Sequence, residues 1–293
     1  MVEIACVLDA RASLGEGTLW DGAARVLWWI DIWDSLIHRF DPATGTDRTW
    51  RAPEFLGCLG LRERGGLVVS MASGFHFFDP DTGVFTPIVD PESHIAETRF
   101  NDGKTDRQGR FWSGTVFEAP GRPIERIGAL YRLDPNLSVH RMVEGIGSSN
   151  GLAFAPDGRT MYFADSYGGA VWAFDLDPAS GDIDNRRVFI DTTTTGSFAD
   201  GATVDAEGCY WVTLPHTGKV CRYDPDGALM QTIQLPTAIP TCCEFGGADL
   251  DVLYVTTAIL RRPAAELAAE RNPGGLFAID AGVKGLILPP FRG

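Results

Sequence analysis

Short apolar runs alternate with polar turns along the whole chain, and the runs are of two recurring kinds. One is a stretch of aromatic and aliphatic residues that ends in Asp, often Asp-Pro. It reads His38-Arg39-Phe40-Asp41-Pro42, then His76-Phe77-Phe78-Asp79-Pro80, Leu130-Tyr131-Arg132-Leu133-Asp134-Pro135, Val171-Trp172-Ala173-Phe174-Asp175 and Val220-Cys221-Arg222-Tyr223-Asp224-Pro225. Gly275-Leu276-Phe277-Ala278-Ile279-Asp280 is a weaker sixth copy. The other kind lies upstream of most of these and follows a Gly-containing turn. Asp21-Gly22 precedes Val26-Leu27-Trp28-Trp29-Ile30, and Gln108-Gly109 precedes Phe111-Trp112-Ser113-Gly114. Asp157-Gly158 precedes Met161-Tyr162-Phe163-Ala164, and Glu207-Gly208 precedes Tyr210-Trp211-Val212. Acidic-Gly and polar-Gly pairs between alternating strands mark tight hairpin turns.

Six such units in 293 residues average about 49 residues each, room for four short antiparallel strands. The pattern predicts an all-β chain: one six-bladed β-propeller of four-stranded antiparallel blades, spanning residues 1–293 as a single domain. The one convincing helical pattern, Ala264-Ala265-Glu266-Leu267-Ala268-Ala269-Glu270, falls in a loop. Unit two has no clean copy of the second motif, so it contributes least to the blade count.

Composition narrows the class of partner. The formal net charge is −14, the opposite of what a nucleic acid or an anionic membrane requires. No apolar run reaches the roughly 18 residues of a membrane helix. Met1-Val2-Glu3-Ile4 has no basic segment followed by an apolar core, so no signal peptide is expected. The six cysteines form no C-x-x-C pair, and Cys242 and Cys243 are adjacent, a spacing unsuited to an ordinary disulfide. These features predict a soluble, cytoplasmic protein with reduced thiols, and a monomer by default.

In a propeller, equivalent positions converge at one mouth of the central channel. Aligning the entry to each predicted innermost strand gives Glu16, Cys58, Asn101, Asn150, Asp200 and Cys243. This near-regular spacing puts four oxygen-bearing side chains around one axis. Glu16, Asn150 and Asp200, from blades one, four and five, offer two carboxylates and a carboxamide, which suit a hard divalent cation. Three protein ligands leave positions open for water and substrate. The competing reading is plain turn chemistry, because Asn-Gly and Asp-Gly are common turn formers. Long segments at Val116 to Ile127 and Ala258 to Pro273 are expected on the same face, since long loops in a compact domain are usually functional. The five histidines show no metal spacing. No G-x-S-x-G elbow, Walker loop or dinucleotide fingerprint is present.

Several blocks then resemble the SMP-30/gluconolactonase/regucalcin family. They are Leu14-Gly15-Glu16-Gly17, Arg99-Phe100-Asn101-Asp102-Gly103-Lys104, Ser149-Asn150-Gly151-Leu152, Asp200-Gly201 and Cys242-Cys243…Phe245-Gly246-Gly247. The resemblance implies a six-bladed propeller and a metal-dependent sugar lactonase, with Glu16, Asn150 and Asp200 holding one divalent ion. Calcium or zinc heads the candidates, with manganese, magnesium and iron also compatible. It further implies that Asp200 is the catalytic proton acceptor, and that Arg99 and Asn101 contact a small-molecule sugar lactone. Relatives similar to regucalcin carry two acids after the Gly-Thr of blade three, the second touching substrate. Here Gly114-Thr115-Val116-Phe117-Glu118-Ala119 keeps only the first, so Glu118 is the substrate-binding candidate and the sugar preference of regucalcin is in doubt. Two rival readings stay open: a propeller esterase or phosphotriesterase, and a non-enzymatic calcium-binding propeller.

Overall fold

The computed structural model describes residues 3–293. The chain folds into six sheets of four antiparallel strands each. This is the predicted six-bladed β-propeller. The innermost strands are Gly15–Asp21, Leu56–Leu61, Thr98–Thr105, Ser149–Phe154, Ala202–Val204 and Pro240–Gly246. The Asp-terminated motifs become the third strands, beginning with Leu36–Asp41 and Gly74–Asp79. The turn-led aromatic motifs become the second strands, such as Phe111–Phe117 and Tyr210–Leu214. Blade two does have a second strand, Leu67–Met71, led by Gly65-Gly66 rather than an acidic-Gly turn.

The reason for this architecture is visible in burial. Middle strands such as Val26–Asp31 and Phe111–Phe117 are buried on both faces, so each sheet needs apolar partners on both sides. Six apolar wedges meet that need, one between each pair of neighbouring blades. Trp112, Leu130, Phe154 and Phe163, for example, fill the wedge between blades three and four. The outermost strands, such as Thr46–Arg51, are largely exposed and polar.

Two wedges share a polar device. In blades three and five a wholly buried Asp ends the inner strand and gathers every donor around it. Asp106 accepts from the backbone N–H of Gln108 and Arg110, from Arg110 Nε, and from Trp112 Nε1 at 3.0 Å. Asp205 does the same with Glu207, Cys209, Arg222 and Trp211. A buried carboxylate is stable only when so satisfied.

Blade six is completed by the N-terminal strand. Ile4–Leu8 pairs antiparallel with Leu276–Asp280, placing Ile4 opposite Ile279 and Leu8 opposite Leu276. At the other end of the chain, Phe291 is fully buried near Phe111, and Phe291 N–H donates to Leu61 O. The helical pattern at 264–270 shortens to one turn, Ala264–Leu267, within the loop of blade six. All six cysteines are free, and no helix among the described residues is long and apolar enough to cross a membrane.

Candidate active site at the channel mouth

At the strand entries, Asp102-Gly103 and Asn150-Gly151 are not hairpin turns. They lie inside strands, and the register slips beside them, between Phe100 and Gly103 and between Asn150 and Ala153. The inner strand of blade one slips in the same way between Glu16 and Leu19. Gly17 and Gly151 take positive φ, 59° and 66°, which other residues rarely adopt. A bulge at this position bends the strand and re-aims a side chain. Glu16 and Asn150, the residues before Gly17 and Gly151, line the channel mouth, as does Asn101 two positions before Gly103.

All six candidate residues line one cleft of about 340 Å³ at this mouth: Glu16, Arg99, Asn101, Glu118, Asn150 and Asp200. The two equivalent cysteines do not. Cys58 and Cys243 are fully buried in the wedges, closing their blades against their neighbours. The amides are fixed by a relay. Asn101 Nδ2 donates to Ser149 O at 2.9 Å and to Asn150 Oδ1 at 3.1 Å, and Asn150 Nδ2 donates to Ser166 Oγ at 2.7 Å. Asn150 Oδ1 keeps a second lone pair for another ligand. Arg99 Nη1 donates to Asn101 Oδ1 at 3.0 Å and to Phe100 O, while its Nε is bonded to Glu118.

The carboxylates are not at electrostatic rest. Burial, then the charge of Asp102, pushes Glu16 up to about 8. Burial, then the charges of Glu16 and Asp102, holds Asp200 well above the usual carboxylate range. Asp102 is pushed up to about 6, chiefly by burial. Its oxygens accept from the N–H of Gly103 and of Leu152, the latter at 3.0 Å, which ties blade three to the bulge of blade four. Like-charged carboxylates gathered in one buried site take up a proton or call for a cation. Among the described residues, no three His, Cys, Asp or Glu side chains cluster to hold a metal by themselves. The donor set at this mouth is mixed: two carboxylates and the Asn150 carboxamide.

A pH dependence follows. The raised Glu16 binds a proton in the folded state where the unfolded chain has lost it, so its contribution is least unfavourable below pH 4.5 and becomes fully unfavourable as pH rises to about 8. Without a bound cation, the melting temperature is expected to fall across that window. Calorimetry at intervals from pH 5 to 8 in chelator checks it. A flat or rising profile that is the same in Glu16→Gln would contradict it.

Two residues had no role of their own assigned from the sequence, whereas the long loops lie where they were expected. Asp102 and Lys104 stood in the Arg-Phe-Asn-Asp-Gly-Lys block without a role. Lys104 Nζ bonds Glu244 Oε2 at 2.7 Å across 140 positions of sequence, beneath the cleft. The two long loops, from blades three and six, meet over the mouth through Glu118 and Arg261.

Fold and site together define a six-bladed propeller whose channel mouth presents carboxylate, carboxamide and guanidinium groups to one small cleft. The chain belongs to the SMP-30/gluconolactonase/LRE-like family, whose model matches residues 14–259. It is 37% identical over 290 residues to 6-deoxy-6-sulfogluconolactonase of Pseudomonas putida, covering 98% of each chain. Regucalcin of Gallus gallus is 35% identical, with 100% of this chain and 99% of that one covered. The crystal structure of a calcium-binding protein, regucalcin, from Agrobacterium tumefaciens superposes with a TM-score of 0.94 at 28% identity, covering 100% and 98% of the two chains.

Proposed function

We propose that this protein hydrolyses a sugar lactone to its aldonic acid with the help of one divalent metal ion. The observation that carries the reading is the convergence of Glu16, Asn150 and Asp200 beside Arg99 and Asn101 in one cleft of about 340 Å³. Relatives named as a sugar lactonase and as a calcium-binding protein support it. The donor set fits a hard cation. Two buried carboxylates held above their usual range, with Glu16 among the charges that raise Asp200, are relieved by a positive charge, and the free lone pair of Asn150 Oδ1 completes a three-ligand set. Calcium is the first candidate. Glu16, Asn150 and Asp200 would hold the ion. When bound, it supplies Lewis acidity toward the lactone carbonyl oxygen.

The chain's own residues do the rest. Arg99 and Asn101 bind the ring hydroxyls and fix its face toward Asp200, and Glu118 holds the Arg99 guanidinium in place. Asp200, ionised, accepts a proton from the water that attacks the carbonyl carbon. The ring oxygen leaves as the tetrahedral intermediate collapses, and it takes up a proton. No activated Ser or Cys is needed. The buried Cys242 thiol is held well above its usual pKa, mainly by burial, and is unsuited to nucleophilic attack.

The decisive experiment follows acid release from a panel of aldono-1,4- and 1,5-lactones at near-neutral pH, with spontaneous opening subtracted. Chelated enzyme is expected to be inactive, and enzyme restored with calcium, zinc, manganese or magnesium to recover turnover. Metal that binds without turnover of any sugar lactone would sink the reading and favour a binding propeller. Faster hydrolysis of a phosphotriester than of any lactone would favour the esterase alternative.

A further inference from the structure

Arg261 stands at the mouth of the same cleft, on the long loop of blade six. Its guanidinium makes no hydrogen bond among the described residues. The one carboxylate oxygen within ion-pair distance, Glu118 Oε1, is 3.8 Å away, and that carboxylate is already bonded through Oε2 to Arg99. Two guanidiniums therefore share one carboxylate, leaving a positive charge at this side of the opening. The Arg261 side chain is 72% exposed, yet its guanidinium is stationed 5.3 Å from the Trp33 ring centre, within cation–π range. Its backbone is also held at φ 58°, a left-handed conformation that a non-glycine residue adopts only against a cost. The neighbouring Arg122, by contrast, is neutralised by Glu97 and Glu125.

Building on the lactonase reading, we infer that Arg261 is a specificity residue that selects lactones carrying an anionic group remote from the carbonyl. The floor of the cleft holds the carbonyl and ring hydroxyls, so a substituent on the far carbon of the sugar reaches the rim, where Arg261 stands. The ligand chemistry is an oxyanion: sulfonate, phosphate or carboxylate. A guanidinium without a hydrogen-bonded partner gains one or two charge-assisted hydrogen bonds when such a group arrives. A neutral hydroxyl at that point gains much less. In a chain of net charge −14, this local cation also counters the general repulsion of an anionic substrate.

The test compares kcat/KM for a neutral aldonolactone with its 6-phosphate, its 6-sulfonate and the corresponding aldarate lactone, in wild type, Arg261→Lys and Arg261→Gln. The ratio of anionic to neutral substrate is expected to fall about 10- to 100-fold in Arg261→Gln, and less in Arg261→Lys. It should also shrink in wild type as salt is raised. The three anions identify which oxyanion the rim fits. A parallel titration of gluconate 6-phosphate against gluconate by calorimetry separates this inference from the lactonase reading, because it needs no turnover. Loss of the phosphate preference in Arg261→Gln supports the assignment. An unchanged preference, or tighter binding of the neutral ligand by wild type, overturns it even if lactonase activity is found.

Discussion

Asp200→Asn is expected to lower kcat for the best lactone by about 10³-fold while the propeller stays folded. The side chain keeps its shape but loses its capacity to take a proton, and general-base catalysis typically contributes about 10²- to 10⁴-fold. The substitution also removes one of two carboxylates that repel each other, since Glu16 stands among the groups that raise Asp200. Metal-free Asp200→Asn should therefore melt at or above the temperature of metal-free wild type, whereas its affinity for the cation should be weaker. Activity is measured at saturating metal so that the two losses separate. A variant that retains more than a tenth of the wild-type kcat with metal bound would show that Asp200 is a ligand but not the base.

Glu244→Ala is expected to destabilise the fold by about 3–5 kcal/mol, the usual consequence of leaving one partner of a buried ion pair alone. Lys104 and Glu244 are both almost wholly buried, with side-chain exposures of 5% and 2%. Burial, the largest single effect, pushes the Lys104 ammonium down, but the charge and hydrogen bond of Glu244, with the charges of Cys242 and Asp102, together hold the group above its ordinary value. Glu244 is further satisfied by Thr203 Oγ1 at 2.8 Å and by the Phe245 N–H at 3.0 Å. Removing the carboxylate strands a cation beneath the cleft. The folded-state pKa of Lys104 should then drop below that of the unfolded chain, so the variant should gain stability as pH is raised toward 10. Denaturant unfolding of Glu244→Ala beside the double substitution Lys104→Met/Glu244→Leu checks the argument. Recovery in the double variant is expected, because an apolar pair of similar size avoids the unpaired charge. Equal loss in both would place the cost in packing instead.

The blades were legible because their signals are local. A turn residue and the strand it precedes lie within a few positions, so Asp157-Gly158 or Glu207-Gly208 announces its hairpin directly. The site was legible to the extent that it inherits the repeat. Glu16, Asn101, Asn150 and Asp200 converge because equivalent positions of a propeller must. What could not be read is whatever depends on register or on distant chain segments. Asn150-Gly151 reads equally as a turn; only the ladder, slipping between Asn150 and Ala153, shows it to be a bulge. Cys58 and Cys243 occupy the same positions in the repeat yet face the wedges, because blades two and six need apolar packing there. The pairing of Lys104 with Glu244 leaves no trace in either local sequence. Arg261 lay in a segment recognisable only as long.

The closure of blade six by Ile4–Leu8 has a consequence for how the ring forms. That strand is synthesised well before its partner Leu276–Asp280. At ordinary rates of synthesis the two are separated by roughly 15–50 s. For that interval the early strand is an unpaired edge, open to any other edge it meets. Five sheets can assemble from neighbouring segments as they emerge, whereas the sixth joins residues at opposite ends of the sequence and bears most of the loop-closure entropy. Its joining should be the slow step of folding. When Leu276–Asp280 emerges, its edge can pair with the waiting strand of its own chain or with that of a second nascent copy.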